Sequence, residues 1–177
     1  MIKYNCIKYF TTNPDKECKM EYDYREAMKL SNQLCFPLYA AARNITNLYN
    51  PLLKPLGLTY TQYIVFLVLW EKDGITVGEI CEKLMLDNGT LSPLLKKMQQ
   101  AGYINRERSK DDDRIVVITL TKEGKALQAK AKHIPLKLSG CIKLEPKKAQ
   151  TLYKLLYELL DISSKQDTIK PPAADAK

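Results

Sequence analysis

Three observations in the 177-residue sequence predict a mainly α-helical domain that carries a small β-hairpin. Apolar residues recur at three- and four-residue spacing over several long stretches, which is the period of one helix face. Two short helical stretches meet at a tight junction near residues 85–87, and two extended runs then flank a charged turn from Arg106 to Asp113.

The first helix begins near Leu34, with Leu38, Ala41, Ala42, Ile45, Leu48 and Leu52 on one face until Pro51, Pro55 and Gly57 punctuate the chain. Thr59 is placed to cap a second helix that turns Tyr63, Phe66, Leu67 and Trp70 inward and stops at Asp73-Gly74. Thr76 caps a short helix through about Met85, with Val77, Ile80, Cys81 and Leu84 on its inner face. Asp87 caps the next helix, which ends near Gln100 before Ala101-Gly102. Tyr103-Ile104, then Val116, Ile118 and Leu120, form the two arms of the hairpin.

A helical stretch from Lys122 to about Ser139 follows and should bend near Pro135, because proline lacks the amide donor that a helix interior needs. The last helix starts near Pro146 and aligns Ala149, Leu152, Leu155, Leu156, Leu159 and Leu160, an apolar stripe with Lys and Glu neighbours of the kind a dimer helix presents. Residues 1–25 show no helical or strand period and are expected to form a flexible arm, with Met20 and Met28 as alternative starts. Residues 163–177, with Pro171 and Pro172, are expected to be a disordered tail. This leaves residues 26–162 as one domain.

Composition narrows the function. A hydrophobic fraction of 45% excludes general disorder, and 28 Lys and Arg against 20 Asp and Glu leave a formal charge of +8 that suits an anionic partner. The longest apolar run, Ile64 to Trp70, is far short of the roughly 20 residues that span a bilayer, so no membrane association is expected and the cytoplasm is the default compartment. The five cysteines, Cys6, Cys18, Cys35, Cys81 and Cys141, are scattered without a CxxC, which argues against a disulfide framework and against a zinc site. With His133 as the single histidine, triad catalysis has almost no material, and neither an enzyme nor a bound cofactor or metal is expected.

Helix, tight junction, helix and charged hairpin, in that order, describe a winged helix-turn-helix whose second short helix enters a DNA major groove. On that helix Asn88, Thr90 and Ser92 offer short hydrogen-bonding groups near the N-terminus, and Lys96 and Lys97 offer phosphate-pairing charge farther along. The same residues could simply cap and solvate the helix. In the hairpin Arg106, Arg108, Lys110 and Arg114 are nearly balanced by Glu107, Asp111, Asp112 and Asp113, so individual arginines rather than net charge must contact DNA. The eight lysines between Lys122 and Lys148 are the larger share of the surplus, read as a solvated face or as a source of nonspecific attraction to DNA.

The runs QLCFPLYAAAR, LGLTYTQYIVFLVLWE, LMLDNGTLSPLLKKM and DDDRIVVITLTKEG resemble the MarR family of regulators, and specifically its organic hydroperoxide resistance repressors, over about residues 30–162. The resemblance implies a homodimer, paired through N- and C-terminal helices, on double-stranded operator DNA with a pseudo-palindromic sequence. It places Asn88, Thr90, Ser92 and Lys97 on the recognition helix. Asp112 and Arg114 match the wing motif, in which the arginine enters the minor groove and the acidic residue holds the wing. Asn88 stands where serine is common.

A reactive cysteine needs thiolate character and access, and Cys35 lies where a helix could begin, with Pro37 either in its first turn or kinking a helix begun earlier. Tyr39, four residues on, shares its face. Apolar flanks alone would fit an inert core cysteine equally well. The resemblance implies instead that Cys35 is the peroxide-sensing thiol, that Tyr49 and Tyr60 hydrogen-bond its thiolate across the dimer interface, and that organic hydroperoxide is the oxidant. It also makes Cys141 a candidate resolving thiol, with a low-molecular-weight thiol as the alternative. Cys81 reads as structural. Two rivals remain at this stage: a regulator released by a small phenolic ligand, and a thiol peroxidase using the same nucleophile.

Overall fold

Residues 23–109 and 112–165 of the chain are described by a computed structural model. Most of the expected arm and tail therefore lies outside the described residues. The described helices are α1 (Tyr24–Ala27), α2 (Cys35–Leu48), α3 (Asn50–Leu53), α4 (Tyr60–Glu71), α5 (Val77–Leu84), α6 (Asn88–Gln100), α7 (Lys122–Ala131), α8 (Ile134–Cys141) and α9 (Pro146–Lys165). The strands are β1 (Ile75–Thr76), β2 (Ile104–Arg108) and β3 (Val116–Leu120). The chain divides after Leu138, within α8, into two compact units. Among the described residues no single helix is long and apolar enough to cross a membrane.

Side-chain caps set the helix starts where the sequence placed them. Thr59 Oγ1 accepts from the Gln62 amide at 3.3 Å while Gln62 Oε1 accepts from the Thr59 amide at 2.9 Å, closing a capping box on α4. Thr76 and Glu79 repeat this on α5, at 3.1 and 2.8 Å. Asp87 Oδ1 accepts from the Thr90 amide at 2.8 Å to start α6, and Thr121 Oγ1 accepts from the Gly124 amide at 3.1 Å to start α7. Each cap satisfies an amide that the first helical turn leaves without an intrahelical partner.

The structure differs from the sequence reading in three places. The helix expected from Leu34 to Leu52 is α2 followed by α3 and a 3₁₀ turn (Lys54–Leu56), because Pro51 and Pro55 each open a new short element and Gly57 closes the run at φ 68°. The stretch expected to bend at Pro135 is two separate helices, and the break comes earlier, at Lys132-His133. A proline at 135 removes the hydrogen bond to the carbonyl of Ala131 and clashes with it, so α7 ends at Ala131 and Pro135 sits in the first turn of α8. The hairpin gains a third strand, in the order β1-β3-β2, with Ile75 opposite Ile118. Helical geometry also reaches Tyr24–Ala27, inside the stretch expected as an arm.

In the first unit the core forms around α4, which is apolar on every side. Phe66, Leu69, Ile80, Leu91, Leu95, Met98, Ile104 and Ile118 are at most 1% exposed, so helix α4, the α5–α6 pair and the sheet share one interior. The junction between sheet and α7 is tight enough to require glycine. A Cβ on Gly124 would lie 2.2 Å from the Tyr103 carbonyl oxygen, a backbone atom that cannot rotate away. Trp70 Nε1 donates to the Gly124 carbonyl at 3.1 Å across the same junction. In the second unit α9 leaves Leu152, Leu155 and Leu159 exposed.

Two outcomes follow from these contacts. Gly124→Ala should destabilise the protein by about 1–3 kcal/mol, the range for forced overpacking, read as a lower thermal midpoint. The Glu79 carboxyl is held at about 2, against 4.5 for the free side chain, by the Thr76 amide first and then by Lys72 and the Thr76 side chain. Its contribution to stability is therefore complete above pH 4.5 and lost as pH falls toward about 2. The difference in thermal midpoint between wild type and Glu79→Gln should shrink across that window, and a constant difference would contradict the assignment.

Candidate functional site

Helix α5 ends because Met85 adopts the left-handed conformation at φ 53°, and after Leu86 the Asp87 cap starts α6. The junction presents the N-terminal turn of α6 to solvent, with Asn88 and Thr90 exposed. Thr90 Oγ1 donates to Asp87 Oδ2 at 2.7 Å, and this hydroxyl, followed by the Thr90 amide, holds the Asp87 carboxyl below its usual range. Ser92 Oγ donates to Asn88 Oδ1 at 2.6 Å one turn later. Two of the three short polar groups are thus partnered within the helix, which fixes the Asn88 carbonyl inward and leaves its amide to face outward. Lys96 and Lys97 are exposed farther along α6.

The wing is built by strict register between β2 and β3, from Ile104 opposite Leu120 to Arg108 opposite Val116. Beyond the ladder the Ile115 amide donates to the Asp112 carbonyl at 2.9 Å and the Arg114 amide to Asp112 Oδ1 at 2.9 Å. The Arg114 guanidinium closes a fork on the same carboxylate, Nε to Oδ1 at 3.1 Å and Nη2 to Oδ2 at 3.3 Å. Arg114 lowers the Asp112 carboxyl below its ordinary range, while its own side chain remains 91% exposed. The expected role of the acidic residue in holding the wing corresponds to this geometry. Arg108 is exposed at the end of β2.

The base of the wing is tied to the core from three sides. Asp73, in the turn after α4, accepts from the Leu120 amide at 2.8 Å and pairs with Lys125 at 3.1 Å. Burial pushes the Asp73 carboxyl up, but the Leu120 amide and Lys125 outweigh it and leave the group below its usual value. Thr121 Oγ1 donates to the Gly102 carbonyl at 2.7 Å, joining the end of β3 to the end of α6.

Sequence reasoning missed Arg106 as an individual residue and counted it only in the charge of the hairpin. It lines a groove between α6 and the wing together with Asn88, Ser92 and Arg114. Its Nε is buried with no hydrogen-bond partner among the described residues. The available signal was the two-residue period of β2, which puts Arg106 on the same face as the buried Ile104.

Cys35 is the first residue of α2 and is exposed, so the helix begins ahead of Pro37, which lies in its first turn. Tyr39 follows on the next turn and is 61% exposed. Tyr49 lies at the other end of α2, against Tyr60 at the start of α4, with ring centroids 4.9 Å apart. Burial first, then the neighbouring phenols Tyr60 and Tyr63, raise the Tyr49 hydroxyl above its usual value, and burial raises that of Tyr60. Both remain O–H donors at neutral pH.

The structure thus brings Tyr49 and Tyr60 together and keeps Cys35 apart from them within one chain. Fourteen residues of helix at a rise of about 1.5 Å per residue separate Cys35 from Tyr49 by about 20 Å. No residue of α2 is buried, although Phe36, Leu38, Ile45 and Leu48 are apolar. Cys81 packs against the core, and Cys141 is exposed at the end of α8, in the second unit.

The family described as transcriptional regulator SarA/Rot matches residues 47–131. The chain is 48% identical to the organic hydroperoxide resistance transcriptional regulator of Bacillus subtilis over 134 residues, 76% of this chain and 91% of that one. Reduced AbfR bound to DNA, a protein of Staphylococcus epidermidis, is 36% identical with a TM-score of 0.65, over 78% of this chain and 96% of that one. AbfR in its disulfide form is 38% identical with a TM-score of 0.54, over 77% and 96% of the two chains. This chain is a transcriptional regulator rather than an enzyme, and it belongs to the MarR family of winged helix-turn-helix proteins, in the organic hydroperoxide resistance branch.

Proposed function

We propose that the protein binds double-stranded operator DNA as a homodimer and leaves it when organic hydroperoxide oxidises Cys35. One observation carries this reading: α2 exposes its apolar residues and holds an exposed thiol at one end and a donor phenol pair at the other. Only a second copy can bring a Tyr49–Tyr60 pair to Cys35. Covering Phe36, Leu38, Ile45 and Leu48 on both copies supplies the hydrophobic driving force for that pairing. The exposed stripe Leu152, Leu155 and Leu159 on α9 is a second surface for the same purpose.

In the reduced dimer Asn88, Thr90, Ser92 and Lys97 of each α6 face a major groove, with Lys96, Lys97 and Arg108 toward phosphates. Arg114, oriented by Asp112, enters the flanking minor groove. The Cys35 thiolate, with phenolic donors from the partner's Tyr49 and Tyr60 and with Tyr39 beside it, attacks the outer peroxide oxygen. The O–O bond breaks, the alkoxide takes a proton to leave as alcohol, and the sulfur becomes a sulfenic acid. A second thiol, Cys141 or a small dissolved thiol, then displaces water to form a disulfide. The new bond moves the end of α2, and the two recognition helices lose the half-site spacing of one DNA turn. This chemistry belongs in the cytoplasm, where the operator is. That AbfR is found reduced on DNA and also in a disulfide form supports the cycle.

With an operator fragment selected from random-sequence DNA, cumene hydroperoxide should abolish the gel shift of the wild type and leave that of Cys35→Ser intact. Release of Cys35→Ser by peroxide would overturn the assignment. Arg114→Ala should weaken operator binding by about 1–3 kcal/mol, measured by fluorescence anisotropy at fixed salt.

A further inference from the structure

The interior of the first unit contains a connected series of aromatic rings. Centroid separations are 4.9 Å for Tyr60–Tyr49, 5.8 Å for Tyr49–Tyr63, 6.3 Å for Tyr63–Trp70, 5.2 Å for Trp70–Phe66 and 5.7 Å for Phe66–Tyr103. These are ordinary packing distances, so stability alone accounts for the contacts. Packing does not require the order of ring types. Four consecutive members are oxidisable, three phenols and the single tryptophan of the chain, and the phenylalanine falls between them and Tyr103. Tyr63 is only 3% exposed, while Tyr49, Tyr60 and Trp70 on either side of it are partly exposed. The thiol chemistry proposed above uses neither Tyr63 nor Trp70.

We propose that Trp70, Tyr63, Tyr49 and Tyr60 form a one-electron oxidation path, which carries an oxidising equivalent from the indole to the phenol pair. The oxidant is an oxygen-centred organic radical, RO•, the product of one-electron reduction of an organic hydroperoxide. It removes one electron and one proton from Trp70, leaving ROH and a neutral tryptophanyl radical. Tyr63 then gives an electron and its phenolic proton, so that Trp• and TyrOH become TrpH and TyrO•. The same exchange from Tyr49 or Tyr60 restores Tyr63.

The direction follows from chemistry and burial. A neutral tyrosyl radical is the more stable of the two at neutral pH, and the buried hydroxyls stay protonated, which makes loss of a hydrogen the available step. Phe66 cannot be oxidised in this range, so Tyr103 and the wing base lie off the path. At the end of the path a dissolved thiol returns the hydrogen, TyrO• and R′SH giving TyrOH and R′S•. The radical thereby leaves Trp70, whose indole anchors the Gly124 carbonyl at the base of the wing, without that contact being destroyed.

Pulse radiolysis of the reduced full-length protein in azide solution tests this, because the azidyl radical oxidises indoles selectively. The tryptophanyl absorption should decay as tyrosyl absorption rises, in a first-order phase independent of protein concentration. Tyr63→Phe should lose that phase, and Tyr103→Phe should keep it unchanged. Replacing Tyr63 by difluorotyrosine keeps the ring and alters only its phenol, so the phase should persist at a changed rate even where Tyr63→Phe fails to fold. A rate that grows with protein concentration, or one that is the same with difluorotyrosine or phenylalanine at position 63, overturns the path.

Discussion

A helix is a rigid spacer, and the rest of this protein is arranged around the consequence. Cys35 and Tyr49 occupy the two ends of α2, so no folding of one chain around that helix can bring the thiol to the phenols. The same helix keeps its apolar side chains exposed in the isolated chain, where they contribute nothing to stability and invite association. Sensor assembly and burial of α2 are therefore one event in the proposed dimer. A change at the thiol acts on the interface directly, because both ends of each α2 belong to it.

The reading head uses the opposite strategy, in which each part is fixed to the core of its own chain. Trp70 holds the Gly124 carbonyl, Asp73 holds the Leu120 amide and Lys125, and Thr121 holds the Gly102 carbonyl. Their combined effect is to make α6, the wing and α7 move with α4 as one body. The Asp112–Arg114 fork at the wing tip is too exposed to add much stability. Its contribution is orientation, since a guanidinium already held in one direction loses less freedom on entering a DNA groove. A rigid head on a deformable interface converts a small displacement at Cys35 into a change of spacing between two heads.

The aromatic interior sits between these two parts. Tyr49 and Tyr60 belong to the sensor end and Trp70 to the wing base, and the rings that join them serve as packing for α4. Buried phenols keep their protons, which suits both hydrogen-bond donation to a thiolate and the one-electron path proposed for them.

Local physics made much of this protein legible in its sequence. Thr59, Thr76, Asp87 and Thr121 announce helix starts because capping depends only on neighbours within one turn. Alternation in the hairpin and helical periodicity elsewhere are local for the same reason, and the quoted runs carried the family. Local pattern failed where a distant group decided the outcome. The break at Lys132-His133 comes from a proline acting four residues back, and β1 exists only because Ile75 finds Ile118. Arg106 becomes notable only when α6 closes the groove over it. The sequence by itself determined which residues could read DNA and which thiol could react. The tertiary structure alone decided that Tyr49 and Tyr60 meet each other and stand about 20 Å of helix away from Cys35, because distance along a rigid helix is set by geometry and not by residue type.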